Sequence, residues 1–126
     1  MRFFFDNNLS AKLAHGMREF GEDVVHLTDH FPQNAVDSEW LPFVGEHALV
    51  LVTRDEKIRW KPAELRAVKN FKVGAFFLGG KKLDRCQLIQ QIVRNWPRMK
   101  EIARSERRPF AIRIPPHGSR FTHLTL

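Results

Sequence analysis

A chain of 126 residues with 43% hydrophobic side chains and eleven Phe has the length of one domain and the composition of a folded one, which excludes a disordered chain. Its single cysteine excludes a disulfide framework and fits a reducing cytoplasm, and no apolar run approaches the roughly 20 residues that cross a bilayer. The net charge of +7 is divided: residues 1–60 carry six Lys/Arg and ten Asp/Glu, a net of −4, whereas residues 61–126 carry fifteen and four, a net of +11.

Residues 2–5 form a short apolar run that stops at Asp6, the pattern of a buried strand. The early acid also argues against reading the opening residues as a signal peptide. Ser10 is placed to cap a helix in which Leu9, Leu13, Met17 and Phe20 recur at helical spacing, with Gly21 as its stop. Val24, Val25 and Leu27 suggest a second strand, and residues 28–36 a surface loop.

Asp37 is expected at the N-cap of the next helix, which turns Trp40, Leu41, Val44 and Ala48 inward. Residues 49–52 read as a strongly apolar third strand running into Thr53-Arg54-Asp55. A basic segment with Trp60 inside it follows, and Pro62 opens a short helix. Residues 73–78 form a fourth strand ended by Gly79-Gly80. A longer helix begins near Leu83, and Pro97 is expected to kink it or start a second one. Residues 110–114 and 120–126 read as two strands of a hairpin around Pro115-Pro116-His117-Gly118.

Strands alternating with helices make an α/β sandwich with a mostly parallel sheet, and such sheets place their sites beyond the carboxyl ends of the strands. That rule selects Asp6 and Asp55, which converge if their strands are neighbours, together with Asp37 at a helix start. Carboxylates gathered in one crevice repel each other unless a divalent cation neutralises them. Mg²⁺ suits such a site because it takes hard oxygen ligands and keeps several waters. Each aspartate also has a plainer reading: a turn residue at Asp6, a helix cap at Asp37, a local ion pair with Arg54 or Lys57 at Asp55. Asn7 and Asn8 are neutral donors beside Asp6, and Glu39 and Glu56 rank below the three aspartates.

The runs Phe3-Phe4-Phe5-Asp6-Asn7-Asn8-Leu9-Ser10, Gly21-Glu22-Asp23-Val24-Val25-His26-Leu27, Asp37-Ser38-Glu39-Trp40-Leu41 and Val50-Leu51-Val52-Thr53-Arg54-Asp55 carry a resemblance that continues through Lys57-Ile58-Arg59 and Pro62-Ala63-Glu64-Leu65. In that order and spacing, over about residues 2–105, the chain resembles the PIN domain ribonucleases, in particular the VapC-like toxins of type II toxin–antitoxin modules. The resemblance implies a three-layer α/β/α fold; with the length it makes a single domain over residues 1–126, in which residues 106–126, beyond the resemblance, read as a basic segment and hairpin. It also implies a Mg²⁺ or Mn²⁺ site, RNA cleavage, neutralisation by a cognate antitoxin protein, and a homodimer. By motif, Asp6, Asp37 and Asp55 match the family acids that bind metal and catalyse. Asn7 stands where many relatives have a second acid, and Lys57 where some have another.

The chemistry expected is metal-assisted phosphodiester hydrolysis, with Arg54, Lys57 or Arg59 offsetting charge in the transition state. Asn7, Asn8, Arg54, Lys57, Arg59 and Lys61 are the candidate substrate contacts. The basic second half, densest at Arg104, Arg107 and Arg108, suits RNA or an acidic antitoxin segment. Trp60 and Trp96 can stack on bases, although packing is the commoner role of tryptophan. Cys86 reads as a small, at least half-buried helix residue, and the six histidines show no metal-ligand spacing. Two rival classes remain: an RNA-binding module that kept the fold with weak or no catalysis, and a receiver-like signalling domain. The receiver is disfavoured because the first strand offers one acid where that class needs an acidic pair.

Overall fold

The computed structural model describes residues 2–126. The strands are β1 (Phe3–Phe5), β2 (Val24–His26), β3 (Val50–Thr53), β4 (Gly74–Leu78), β5 (Phe110–Ile114) and β6 (Thr122–His123). The helices are α1 (Ala11–Glu19), α2 (Asp37–Glu46), α3 (Pro62–Asn70) and α4 (Arg85–Ser105), with short 3₁₀ turns at Leu27–Asp29 and Glu56–Arg59. The strands form one sheet in the order β2-β1-β3-β4-β5-β6. Every pairing is parallel except the last, where β6 returns antiparallel to β5 as the hairpin pattern predicts.

The central strands are buried on both faces, which is why they read as continuous apolar runs rather than alternations. Successive residues still serve opposite cores. Phe3 and Phe5 join Ala14 of α1 and Ile92, Trp96 and Met99 of α4 on one side. Phe4 joins Trp40, Leu41 and Val44 of α2 and Val68 of α3 on the other, stacked on Trp40 with ring centroids 5.5 Å apart. The chain is therefore a three-layer α/β/α sandwich, as expected.

Local chemistry sets the helix starts. Ser10 Oγ accepts the Lys12 N–H at 3.1 Å, and Asp84 with Gln87 forms a capping box that starts α4. Pro62 occupies the first turn of α3, where a missing N–H costs nothing. Two expectations are corrected on α4. Pro97 starts no second helix: α4 runs from Arg85 to Ser105 with the proline inside it. The buried Trp96 and Met99 beside that proline dock this stretch onto the sheet, and such packing outweighs a lost helical hydrogen bond. Cys86 is exposed rather than semi-buried, because the first turn of α4 lies beyond the end of the core.

Two buried polar side chains fasten the layers. The Trp96 indole N–H donates to Glu22 Oε1 at 2.7 Å, and Lys100 reaches the same oxygen at 3.0 Å. Gln91 Nε2 donates to the carbonyls of Gly79 and Pro115, each at 2.9 Å, closing the ends of β4 and β5. Among the described residues, no helix is long and apolar enough to cross a membrane.

The backbone of α2 approaches the end of α3 at Gly45, where an added Cβ overlaps the Phe71 carbonyl oxygen and Cβ. Gly45→Ala is expected to lower the unfolding free energy by about 1–3 kcal/mol through this overpacking. Gly16 lies inside α1 with open space around it. Gly16→Ala should instead raise stability by about 0.5–1 kcal/mol from helix propensity. Urea unfolding of both variants measures the contrast.

Candidate active site at the switch point of the sheet

The chain enters the sheet at β1, goes to β2 on one side and returns to β3 on the other, so the order reverses between β1 and β3. A crevice opens at the carboxyl ends of strands flanking such a switch point. The register Phe5↔Val52 places Asp6 and Thr53 side by side at its floor.

Asp6 is buried, only 3% exposed. Its Oδ2 accepts the Thr53 hydroxyl at 2.5 Å, and its Oδ1 accepts the Asn8 backbone N–H at 3.1 Å. The Thr53 hydroxyl in turn accepts the Asp55 N–H at 3.0 Å. Asp55 Oδ1 then accepts the Lys57 N–H at 3.0 Å, capping the 3₁₀ turn Glu56–Arg59. One chain of hydrogen bonds thus joins Asp6 to the segment that carries Asp55.

Asp37 corrects an expectation in a useful way. Val36 is the N-cap of α2, and Asp37 is the first helical residue. Its carboxylate makes no cap bond and is left to interact with the other acids. It raises the pKa of Asp6, and Asp55 and Glu64 raise its own. Burial is the largest cause in both cases; Lys61 partly offsets it at Asp37. Asp6 is pushed up to about 6, although the Thr53 and Asn8 hydrogen bonds pull the other way. Asp37 is shifted upward too. Among the described residues none of the three aspartates forms a salt bridge. The crevice therefore holds negative charge that the protein itself leaves largely unbalanced.

The candidate donors are all hard oxygens, the type that Mg²⁺ and Mn²⁺ take. Among the described residues, no three Asp, Glu, His or Cys side chains are gathered closely enough to enclose a metal directly. The donor chemistry thus fits a cation that keeps much of its water, and it does not form a closed cage.

The other predicted residues divide. Asn8 holds Asp6, and its side-chain amide lies 3.5 Å from Asp6 Oδ2. Asn7 Nδ2 donates to the Gln33 carbonyl at 2.5 Å, tying the turn after β1 to the loop before α2. Arg54 braces the ends of β3 and β4 by donating to the Gly80 and Lys81 carbonyls at 3.1 and 3.3 Å. Arg59 donates to the Thr125 carbonyl at 3.1 Å, away from the carboxylates. Lys57 is exposed, and Lys61 stands at the N-cap position of α3 without a side-chain cap bond. Glu56 pairs with Arg113 at 3.0 Å, and Glu39 is exposed. Two residues were missed. Thr53 carried a signal, a hydroxyl ending the apolar run Val-Leu-Val, and Glu64 carried none beyond its place in the first turn of α3.

Beside the carboxylates lies a cleft of about 330 Å³ lined by Asn8, Arg54, Asp55, Glu56, Lys57, Trp60 and Lys81. A larger one of about 730 Å³, lined by Arg2, Leu49 and Arg108 among others, lies at the opposite, amino-terminal ends of β1, β3 and β5. The smaller cleft is the one that adjoins the acids.

A family model described as a PIN-like domain matches residues 1–80, which contain Asp6, Asp37 and Asp55, whereas Lys81 of the cleft lies just beyond them. No curated protein and no solved structure matches the chain.

The raised pKa of Asp6 fixes the sign of a pH effect. Its folded value of about 6 exceeds the ordinary 3.8, so between these values the folded state holds the extra proton. Stability is expected to be greatest below pH 4 as far as this group is concerned, and to fall by about 3 kcal/mol as pH rises through 6. Denaturant unfolding from pH 4.5 to 7.5 in chelator-containing buffer should follow this slope, and Asp6→Asn should flatten it.

Proposed function

The chain belongs to the PIN-like domain family, and from that premise we propose that it is a metal-dependent endoribonuclease that hydrolyses RNA phosphodiester bonds. The observation that carries this reading is the buried Asp6, held by Thr53 and Asn8 at the switch point and within the field of Asp37, whose charge Lys61 offsets only in part. A buried carboxylate without a cationic partner either takes up a proton or draws a cation, and groups perturbed in this way cluster at functional sites.

Asp6, Asp37 and Asp55 are the residues proposed to hold Mg²⁺ or Mn²⁺, with Glu64 adding charge behind Asp37. When bound, such an ion neutralises the phosphate and makes water acidic enough to act as a nucleophile near neutral pH. The chain's own groups prepare that chemistry. Thr53 and Asn8 fix the orientation of Asp6, and the Thr53 hydroxyl couples that orientation to the Asp55 backbone. Lys61 counters part of the charge around Asp37, and Lys57 and Lys81 supply ammonium groups at the cleft for substrate phosphates. Within the same proposal the enzyme acts as a toxin, and a cognate antitoxin protein covers the site.

A second reading, an RNA-binding module of the same fold with weak or no catalysis, has two observations in its favour. No three acidic groups close around a metal position among the described residues, and Asn7 and Lys57 stand where relatives supply further acids.

Purified protein with Mg²⁺ or Mn²⁺ should cut unstructured RNA. Asp6→Asn, Asp37→Asn and Asp55→Asn should each lower the rate by more than about 100-fold. Thr53→Val, which removes the two supporting hydrogen bonds of the hydroxyl and none of the proposed ligands, should cost about 10- to 100-fold. The same cations should raise the melting temperature of the wild type at pH 7.5 more than that of Asp6→Asn. RNA binding without cutting, indifferent to these changes, would establish the second reading. Growth arrest on expression, relieved by Asp6→Asn, tests the toxin role.

A further inference from the structure

We propose that the Trp60 indole is a stacking platform for a base of single-stranded RNA lying in the cleft beside the carboxylates. This deepens the ribonuclease reading and rests on it, by naming how the site selects unpaired over duplex RNA.

Trp60 stands apart from the other two tryptophans. Trp40 and Trp96 are 2% and 6% exposed, whereas Trp60 is 67% exposed. The 3₁₀ turn before it does not need the indole for anchorage, because Ile58 supplies the buried contact at 1% exposure. The backbone at Trp60 is nonetheless fixed, its N–H donating to the Lys57 carbonyl at 2.9 Å. A large aromatic surface is thus held in water on a constrained turn.

The surroundings say what it suits. The cleft that Trp60 lines is shared with Asn8 and Asp55, both members of the hydrogen-bonded network around Asp6. It is also shared with three cations, Arg54, Lys57 and Lys81. Arg54 is already held by the Gly80 and Lys81 carbonyls, which reduces the entropy lost when an anion arrives. The Lys57 and Lys81 ammonium groups have no hydrogen-bond or ion-pair partner among the described residues. Cations that track a backbone, with an aromatic face between them, are the combination that binds single strands without sequence preference. An acidic peptide would use the cations but leave the indole idle and meet Asp55 and Glu56. A duplex keeps its bases stacked inside, out of reach of an indole.

The Asp6→Asn protein, titrated with an unstructured RNA oligonucleotide, provides the test through tryptophan emission and its quenching by acrylamide. With two of the three indoles buried, the accessible signal comes from Trp60. RNA should quench that emission and shield it from acrylamide, and duplex RNA of the same sequence should not. Adding Trp60→Ala should weaken RNA binding by about tenfold or more, and Trp60→Phe should restore most of it. Equal RNA affinity with and without the indole, or unchanged emission on binding, overturns the proposal. The ribonuclease reading survives that result if the Trp60→Ala enzyme, with Asp6 intact, still cuts RNA at the wild-type rate. Absence of RNA binding by any variant, with no cutting by the wild type, overturns both.

Discussion

Asp6 ends a strand whose three residues are all buried, and its carboxylate is left with almost no water to solvate a charge. Much of the carboxyl end of the sheet is arranged around that constraint. Register cannot slip to relieve it, because a shift by one residue would exchange Phe4 with Phe3 and Phe5 between two different cores. The parallel pairing of β1 with β3 then puts Thr53 beside Asp6, and the Thr53 hydroxyl is both donor to Asp6 and acceptor from Asp55. A single buried hydroxyl thus transmits the position of one acidic strand end to the other.

The treatment of Asp29 shows that the strain on Asp6 is not general. At Asp29 burial also opposes the charge, but the His26 N–H, His15 and Arg18 outweigh it and hold the carboxyl down to about 2. Glu22 is likewise held below the usual range by Trp96 and Lys100. These two carboxylates have partners and fasten neighbouring elements. Asp6 receives only neutral donors and faces another acid, so its charge is stabilised less than its burial demands. Asp29 and Glu22 have cationic partners and Asp6 has none, the kind of contrast that singles out Asp6 as the candidate site carboxylate.

The sheet, its layers and the acidic strand ends were legible because they follow from period and position. Phe3-Phe4-Phe5-Asp6 and Val50-Leu51-Val52-Thr53 announce buried parallel strands, and the switch-point rule then selects their ends. Other features depend on tertiary partners that no local pattern carries. Pro97 leaves a second helix open until Trp96 and Met99 are seen docked on the sheet. Asp37 reads as a cap because Val36, which has no capping side chain, is an unlikely neighbour to choose. Arg54 and Arg59 are each bonded to a carbonyl far along the chain, partners that their local sequence does not announce. Glu64 reaches the field of Asp37 only because α2 and α3 lie on the same face of the sheet.

The division of charge along the chain takes on a different meaning in three dimensions. Several cations of the basic half are used by the fold: Arg94 and Arg98 hold the Gly118 and Ser119 carbonyls, Lys100 pairs with Glu22, and Arg113 pairs with Glu56. The net of +11 therefore overstates the surface left for a polyanion. The cations set against the carboxylates come instead from the short stretch that holds Arg54, Lys57 and Lys61, with Lys81 brought in at the end of β4. Opposite charges meet at the carboxyl ends of β3 and β4, where backbone topology rather than overall charge decides which groups are neighbours. A basic composition makes an anionic partner plausible anywhere on the molecule. At the switch point the cations, the exposed indole and Asp55 share one cleft, and hydrogen bonds through Thr53 tie Asp55 to the buried Asp6.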